Sequence, residues 1–118
     1  LPHSRINREG RFRAGFWRNL YMNHYQGSAM AVRASLLGCV LPFLAQDSFL
    51  HDAWIGTRND LLGGRAVFIE EDLLFYRRHS KNASQTKSLR RQIQTRVDLL
   101  LAHLRYALMY AGTSRQVE

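Results

Sequence analysis

The chain has 118 residues, 46% of them hydrophobic, and carries 17 Lys+Arg against 9 Asp+Glu, a formal net charge of +8. That suffices for one small domain with a core, argues against a disordered tail, and points to an anionic partner: nucleic acid, a membrane surface or a phosphorylated small molecule. One cysteine, Cys39, excludes an internal disulfide and a Cys-rich zinc site, and no apolar run approaches the ~20 residues of a membrane span.

Residues 1–15 are basic and irregular, with Arg5, Arg8, Arg11 and Arg13. They hold no initiator Met and no apolar signal core, as if the chain began partway through a larger protein. The aromatic-rich "FWRNLYMNHYQ" fits a short helix or a loop. Gly27 breaks the pattern, 28–32 fits a short strand, and 34–41 a short helix ended by Pro42. Cys39 lies there among apolar neighbours and is expected to be a buried, inert thiol. After the loop "LAQDS", residues 52–62 read as a helix stopped by Gly63-Gly64.

"RAVFIEEDLLFYRRHS" contains two β-prone pieces, 66–69 and 74–78, split by an acidic turn. The last segment, 86–112, has the clearest periodicity. Leu89, Ile93, Val97, Leu100, Leu101, Leu104 and Leu108 recur at spacings of three and four, the mark of one helix face. Arg90, Arg91, Arg96 and Arg105 lie mostly off that stripe. The expected fold class is therefore mixed α/β, with short strands and a long C-terminal amphipathic helix. The expected division falls between residues 1–85 and a terminal helix and tail at 86–118.

Asp52 opens the predicted helix in "SFLHDAWIGTRNDLLGG". A carboxylate there can cap the helix by accepting backbone N–H groups at the positive end of the dipole. It can also serve a site at the rim of a pocket, and its two oxygens make both roles compatible. No Glu or Gln follows three residues on, so there is no capping box; Ile55 stands there. His51 points in a different direction from its neighbour Asp52, and a packed or surface histidine is its default. In "YRRHSKNAS", an extended backbone puts Arg77 and His79 on one face and Arg78 on the other. Such a cluster is either an anion site or a solvated basic turn, since arginine forks match phosphate oxygens. The "EED" at 70–72 fits a turn that neutralises nearby arginines better than a metal site.

Taken in order, "YQGSAMAVRASLL", "LPF", "FLHDAWI" and "GGRAVFIEEDLLFYRRHSKNAS" resemble the C-terminal half of the family-two glycosyltransferase catalytic domain, closest to rhamnosyltransferase-like members. These are inverting, nucleotide-sugar-dependent enzymes of bacterial polysaccharide assembly, and the match covers about residues 25–84. The resemblance implies a Rossmann-like domain of which 1–85 is the acceptor-side portion. The nucleotide-binding half, with its paired aspartates and Mg or Mn ion, is absent. It implies that Asp52 is the general base, with Gly27, His51 and Trp54 on the acceptor side.

It also implies that Arg77, Arg78 and Asn82 contact the donor diphosphate, and that His79 completes the metal shell or holds a phosphate oxygen. The partners are then a nucleotide-sugar donor and a saccharide or lipid-linked acceptor. The place is the cytoplasm or the inner face of the membrane, and this chain alone is not expected to turn over. The terminal helix lies outside the match and suits packing on the domain, pairing with a second copy, or lying on an anionic membrane. The alternative is a non-catalytic basic module for nucleic acid or anionic lipid, favoured by the charge and by Phe16, Trp17, Tyr21 and Tyr25. No nucleic-acid-binding motif is present, so a nucleic acid is not the expected partner.

Overall fold

The computed structural model describes residues 13–43, 51–69, 71, 73–74 and 88–110. Among these residues four α-helices follow one another: α1 (Phe16–Tyr21), α2 (Ala34–Val40), α3 (His51–Leu61) and α4 (Leu89–Tyr110). A single 3-10 turn, Gly27–Ala29, lies between α1 and α2. Helix accounts for 64% of the described residues, and no strand or sheet occurs among them. The expectation of a mixed α/β, Rossmann-like fold is thereby overturned.

The reasons are local. At 28–32 the expected strand begins as a turn, because the Ala29 N–H bonds back to the Gln26 carbonyl at 2.9 Å and the Gly27 N–H is taken by Asp52. Donors used in this way cannot enter a ladder. Residues 66–69 are non-helical, as their β-branched content predicts, but they pair with no strand among the described residues. Of 74–78 only Leu74 is described; the rest of that expected strand lies outside the described residues.

The expected helices at 34–41 and 52–62 are present within one residue at each end. Helix α3 stops as its glycines predict. Gly63 sits at φ 71, and the Gly64 and Gly63 N–H groups return to the carbonyls of Asn59 and Asp60. That double closure satisfies the last carbonyls of the helix, and a side chain at the left-handed position would resist it.

Helix α3 is the centre of the packing. It touches α1, α2 and α4, and α4 also touches α1. The core gathers Val40, Ala53, Trp54, Leu99, Ala102 and Tyr106, with Leu20, Leu36, Ile55 and Tyr110 against it. Three successive carbonyls where α2 ends are each claimed by a side chain from another helix. Arg58 Nε donates to Cys39 at 3.0 Å, Trp54 Nε1 to Val40 at 2.9 Å and the Tyr106 hydroxyl to Leu41 at 3.0 Å. These carbonyls have no partner within their own helix, so α3 and α4 supply what the helix end lacks. The guanidinium of Arg58 also lies over the Tyr106 ring at 4.5 Å. Cys39 is half-buried and free rather than fully enclosed.

Helix α4 packs with a different side from the one its leucines suggest. Leu99, Ala102, His103 and Tyr106 face inward. Of the predicted stripe, Leu89, Ile93, Val97, Leu101, Leu104 and Leu108 are all exposed, up to 81% for Leu108. Only Leu100 is half-buried.

Candidate functional site

Asp52 stands in the first turn of α3, where negative charge meets the positive pole of the helix. Its two oxygens are held separately. Oδ2 accepts the Gly27 N–H at 3.0 Å and Oδ1 accepts the Ala53 N–H at 2.7 Å. The carboxylate is thus pinned from two directions while half-buried, and each oxygen keeps a lone pair for a further donor. The Gly27 contact crosses 25 residues of chain and joins two segments that the sequence separates by a loop.

Gly27 and His51, both exposed, form with Asp52 a rim at the surface. A Cβ on Gly27 would stand 2.8 Å from His51 Nε2 and 3.5 Å from Asp52 Cβ, so the imidazole and carboxylate lie against the glycine backbone. Trp54 does not share that rim. It is 1% exposed, in the core, and stacks on His103 at 4.5 Å between ring centres. Its place is behind Asp52, where it fixes α3 against α2 and α4. Arg77, Arg78, His79 and Asn82 lie outside the described residues.

A polar network that no local sequence pattern announces sets the angle of the helices that carry this rim. Asn19 is 1% exposed, and the two hydrogens of its amide are shared among the carbonyls of Arg13 and Gly15 and Asp60 Oδ2. Its Oδ1 accepts the His24 N–H. Asp60 Oδ1 takes the Tyr25 hydroxyl at 2.7 Å, and burial, then the Asp60 carboxylate, push the Tyr25 phenol well above its ordinary range. The Tyr25 ring lies against Gly56, where a Cβ would come within 2.0 Å of it. Tyr25 is two residues before Gly27, so this anchor holds the strap that delivers the Gly27 N–H.

A second lock joins α3 to α4. The Thr57 hydroxyl donates to the Ala53 carbonyl at 2.6 Å, which leaves its oxygen to accept from His103 Nε2–H at 2.8 Å. His103 Nδ1 is then a bare acceptor, buried and without a hydrogen-bond partner. Burial, then the positive charge of Arg58, push the imidazole down to about 4. His103 is a neutral core group here.

The metal implied by the resemblance finds no shell in this part of the molecule. Among the described residues no group of three or more His, Cys, Asp or Glu is placed to hold an ion. His51 and Asp52 alone are too few, and His79 is not among the described residues. No family model, no curated protein and no solved structure matches the chain.

Proposed function

We propose that the chain is the acceptor-side portion of an inverting, nucleotide-sugar-dependent glycosyltransferase, and that Asp52 is its general base. One observation carries this: the Asp52 carboxylate meets the Gly27 backbone, so two of the four motifs behind the family-two resemblance form one rim. A base of this kind must be held still rather than made strong. The acceptor hydroxyl acidifies as its oxygen bonds to the anomeric carbon, so position matters more than basicity.

In the proposed reaction the acceptor oxygen attacks the anomeric carbon in line. The bond to the nucleoside diphosphate breaks on the opposite face, and the hydroxyl proton passes to Asp52. The N–H groups of Gly27 and Ala53 keep the carboxylate aimed through the step. Exposed His51 borders the same rim and is assigned to the acceptor. Arg77, Arg78 and Asn82 are assigned to the donor diphosphate by resemblance, as cations or donors that offset charge on the leaving group. No step is routed through a metal. A nucleotide-sugar donor places the work in the cytoplasm.

The test is a transfer assay in an enzyme that joins this chain to a nucleotide-binding half. Sugar nucleotides of several bases are offered with saccharide acceptors, and the product's anomeric configuration is read by proton NMR. An inverted product is expected. A retained configuration, or no transfer from any sugar nucleotide, overturns the proposal.

A further inference from the structure

Helix α4 leaves its leucine stripe uncovered, and the charge around that stripe identifies what it fits. Leu89, Ile93, Val97, Leu101, Leu104 and Leu108 follow one another at spacings of three and four and are 41–81% exposed. A continuous apolar line of this length is unusual on a protein surface. The opposite side of the same helix is already in use against α1 and α3, so the stripe has no place in the core described above.

The helix carries four arginines, Arg90, Arg91, Arg96 and Arg105, against one acid, Asp98, whose carboxylate accepts from Gln94. Two rings of the neighbouring α1, Trp17 and Tyr21, one turn apart, are also exposed. Arg96 ties Tyr21 to α4: its Nε donates to the Tyr21 carbonyl and its guanidinium covers the Tyr21 ring at 5.3 Å. Leucines flanked by arginines, with Trp and Tyr on the neighbouring helix, suit the boundary between lipid tails and headgroups. There the apolar side sinks, the guanidinium groups reach the phosphates, and the aromatic rings sit at the interface.

We infer that α4, with Trp17 and Tyr21, lies on the surface of an anionic phospholipid bilayer. A second copy of the chain fits less well. Two copies of α4 set face to face would bring together two helices that each carry four arginines against one acid. Contact is parallel to the surface, since no helix among the described residues is long and apolar enough to cross a membrane. The inference is independent of the proposed chemistry.

The experiment floats the full chain with vesicles of phosphatidylcholine alone and of phosphatidylcholine mixed with phosphatidylglycerol. The chain should float with the anionic vesicles only, and less so as salt rises. The double variant Leu104→Glu, Leu108→Glu should lower partitioning about tenfold or more, because it puts charge into the buried face. Arg90→Gln and Arg91→Gln should each lower it about fivefold while leaving the apolar face intact. All four side chains are exposed, so helix content by circular dichroism should stay unchanged. Trp17 fluorescence should shift to shorter wavelength on binding, and Trp17→Phe should remove that shift. Equal flotation on neutral vesicles overturns the inference, as does flotation unaffected by the glutamates. So does a concentration-dependent dimer that the glutamates dissolve.

Discussion

At position 103 a histidine is enclosed as a neutral group, with one nitrogen bonded to Thr57 and the other unpartnered. Its proton affinity is lowered to about 4 from the ordinary 6.5, by burial first and then by Arg58. Below about pH 6.5 the unfolded chain takes up a proton that the folded chain refuses. Stability is therefore full above that pH, falls as pH drops, and stops falling near pH 4. The loss over that window is of order 3 kcal/mol. Guanidinium unfolding at pH 7 and pH 4.5, compared with His103→Gln, isolates the contribution. The variant should show a flatter pH dependence whatever its own stability, and equal slopes would remove His103 as the cause.

Gly27 offers a second test at this scale. Gln26 is extended at φ −124, ψ 116, which suits the residue before a proline, and Gly27 opens a helical turn, where proline is tolerated. The backbone at 26–27 therefore suits Gly27→Pro, which replaces the N–H that holds Asp52 Oδ2 by a ring CH2 that pushes the carboxylate out of place. In the joined enzyme we expect kcat to fall about tenfold or more with donor affinity unchanged. Gly27→Ala keeps that N–H but displaces the tip of exposed His51 and touches Asp52 Cβ, so KM for the acceptor should rise while kcat falls less than in Gly27→Pro.

Between helices, two glycines that look alike in sequence behave oppositely. Gly56 on α3 is covered by the Tyr25 ring, itself fixed through its hydroxyl to Asp60. Gly56→Ala should cost about 3 kcal/mol, since the ring cannot yield without breaking that bond. Gly38 on α2 has open space where a Cβ would go. Gly38→Ala should add about 0.5–1 kcal/mol by stiffening the unfolded chain. Denaturant midpoints of the two variants, measured together, check the pair.

Helices α2 and α3 were legible in the sequence to within a residue at each end, because a proline and a glycine pair end their patterns, whereas the α1 segment read equally as helix or loop. The strands expected at 28–32 and 66–69 were misread because a β-prone run such as 66–69 specifies an extended backbone, whereas a strand also needs a partner. Helix α4 was expected where it lies, but it is apolar on two sides. Periodicity cannot say which of two apolar sides is inward, and the choice falls to His103 and Tyr106, whose polar atoms find Thr57 and Leu41.

For the molecule as a whole, the site divides into what motif order implied and what only folding supplies. Asp52 and Gly27 were singled out from their motifs, yet their contact across 25 residues has no signature in local spacing. The supports behind them, Asn19 to Asp60 and Tyr25 to Asp60, span 41 and 35 residues and were invisible for the same reason. The net charge of +8 pointed to an anion without choosing one. With the leucine stripe exposed, a lipid surface is the partner we propose for the arginines of α4, and a donor diphosphate the one we propose for Arg77 and Arg78.

The base at the rim is the claim on which the functional account stands. Asp52→Asn keeps the shape of the side chain and removes its ability to take a proton, so single-turnover transfer in the joined enzyme tests it directly. The account predicts a rate lower by about 10²–10⁴-fold with donor binding unchanged, the range for loss of a positioned base. A rate within about tenfold of the parent, at equal donor occupancy, would contradict it.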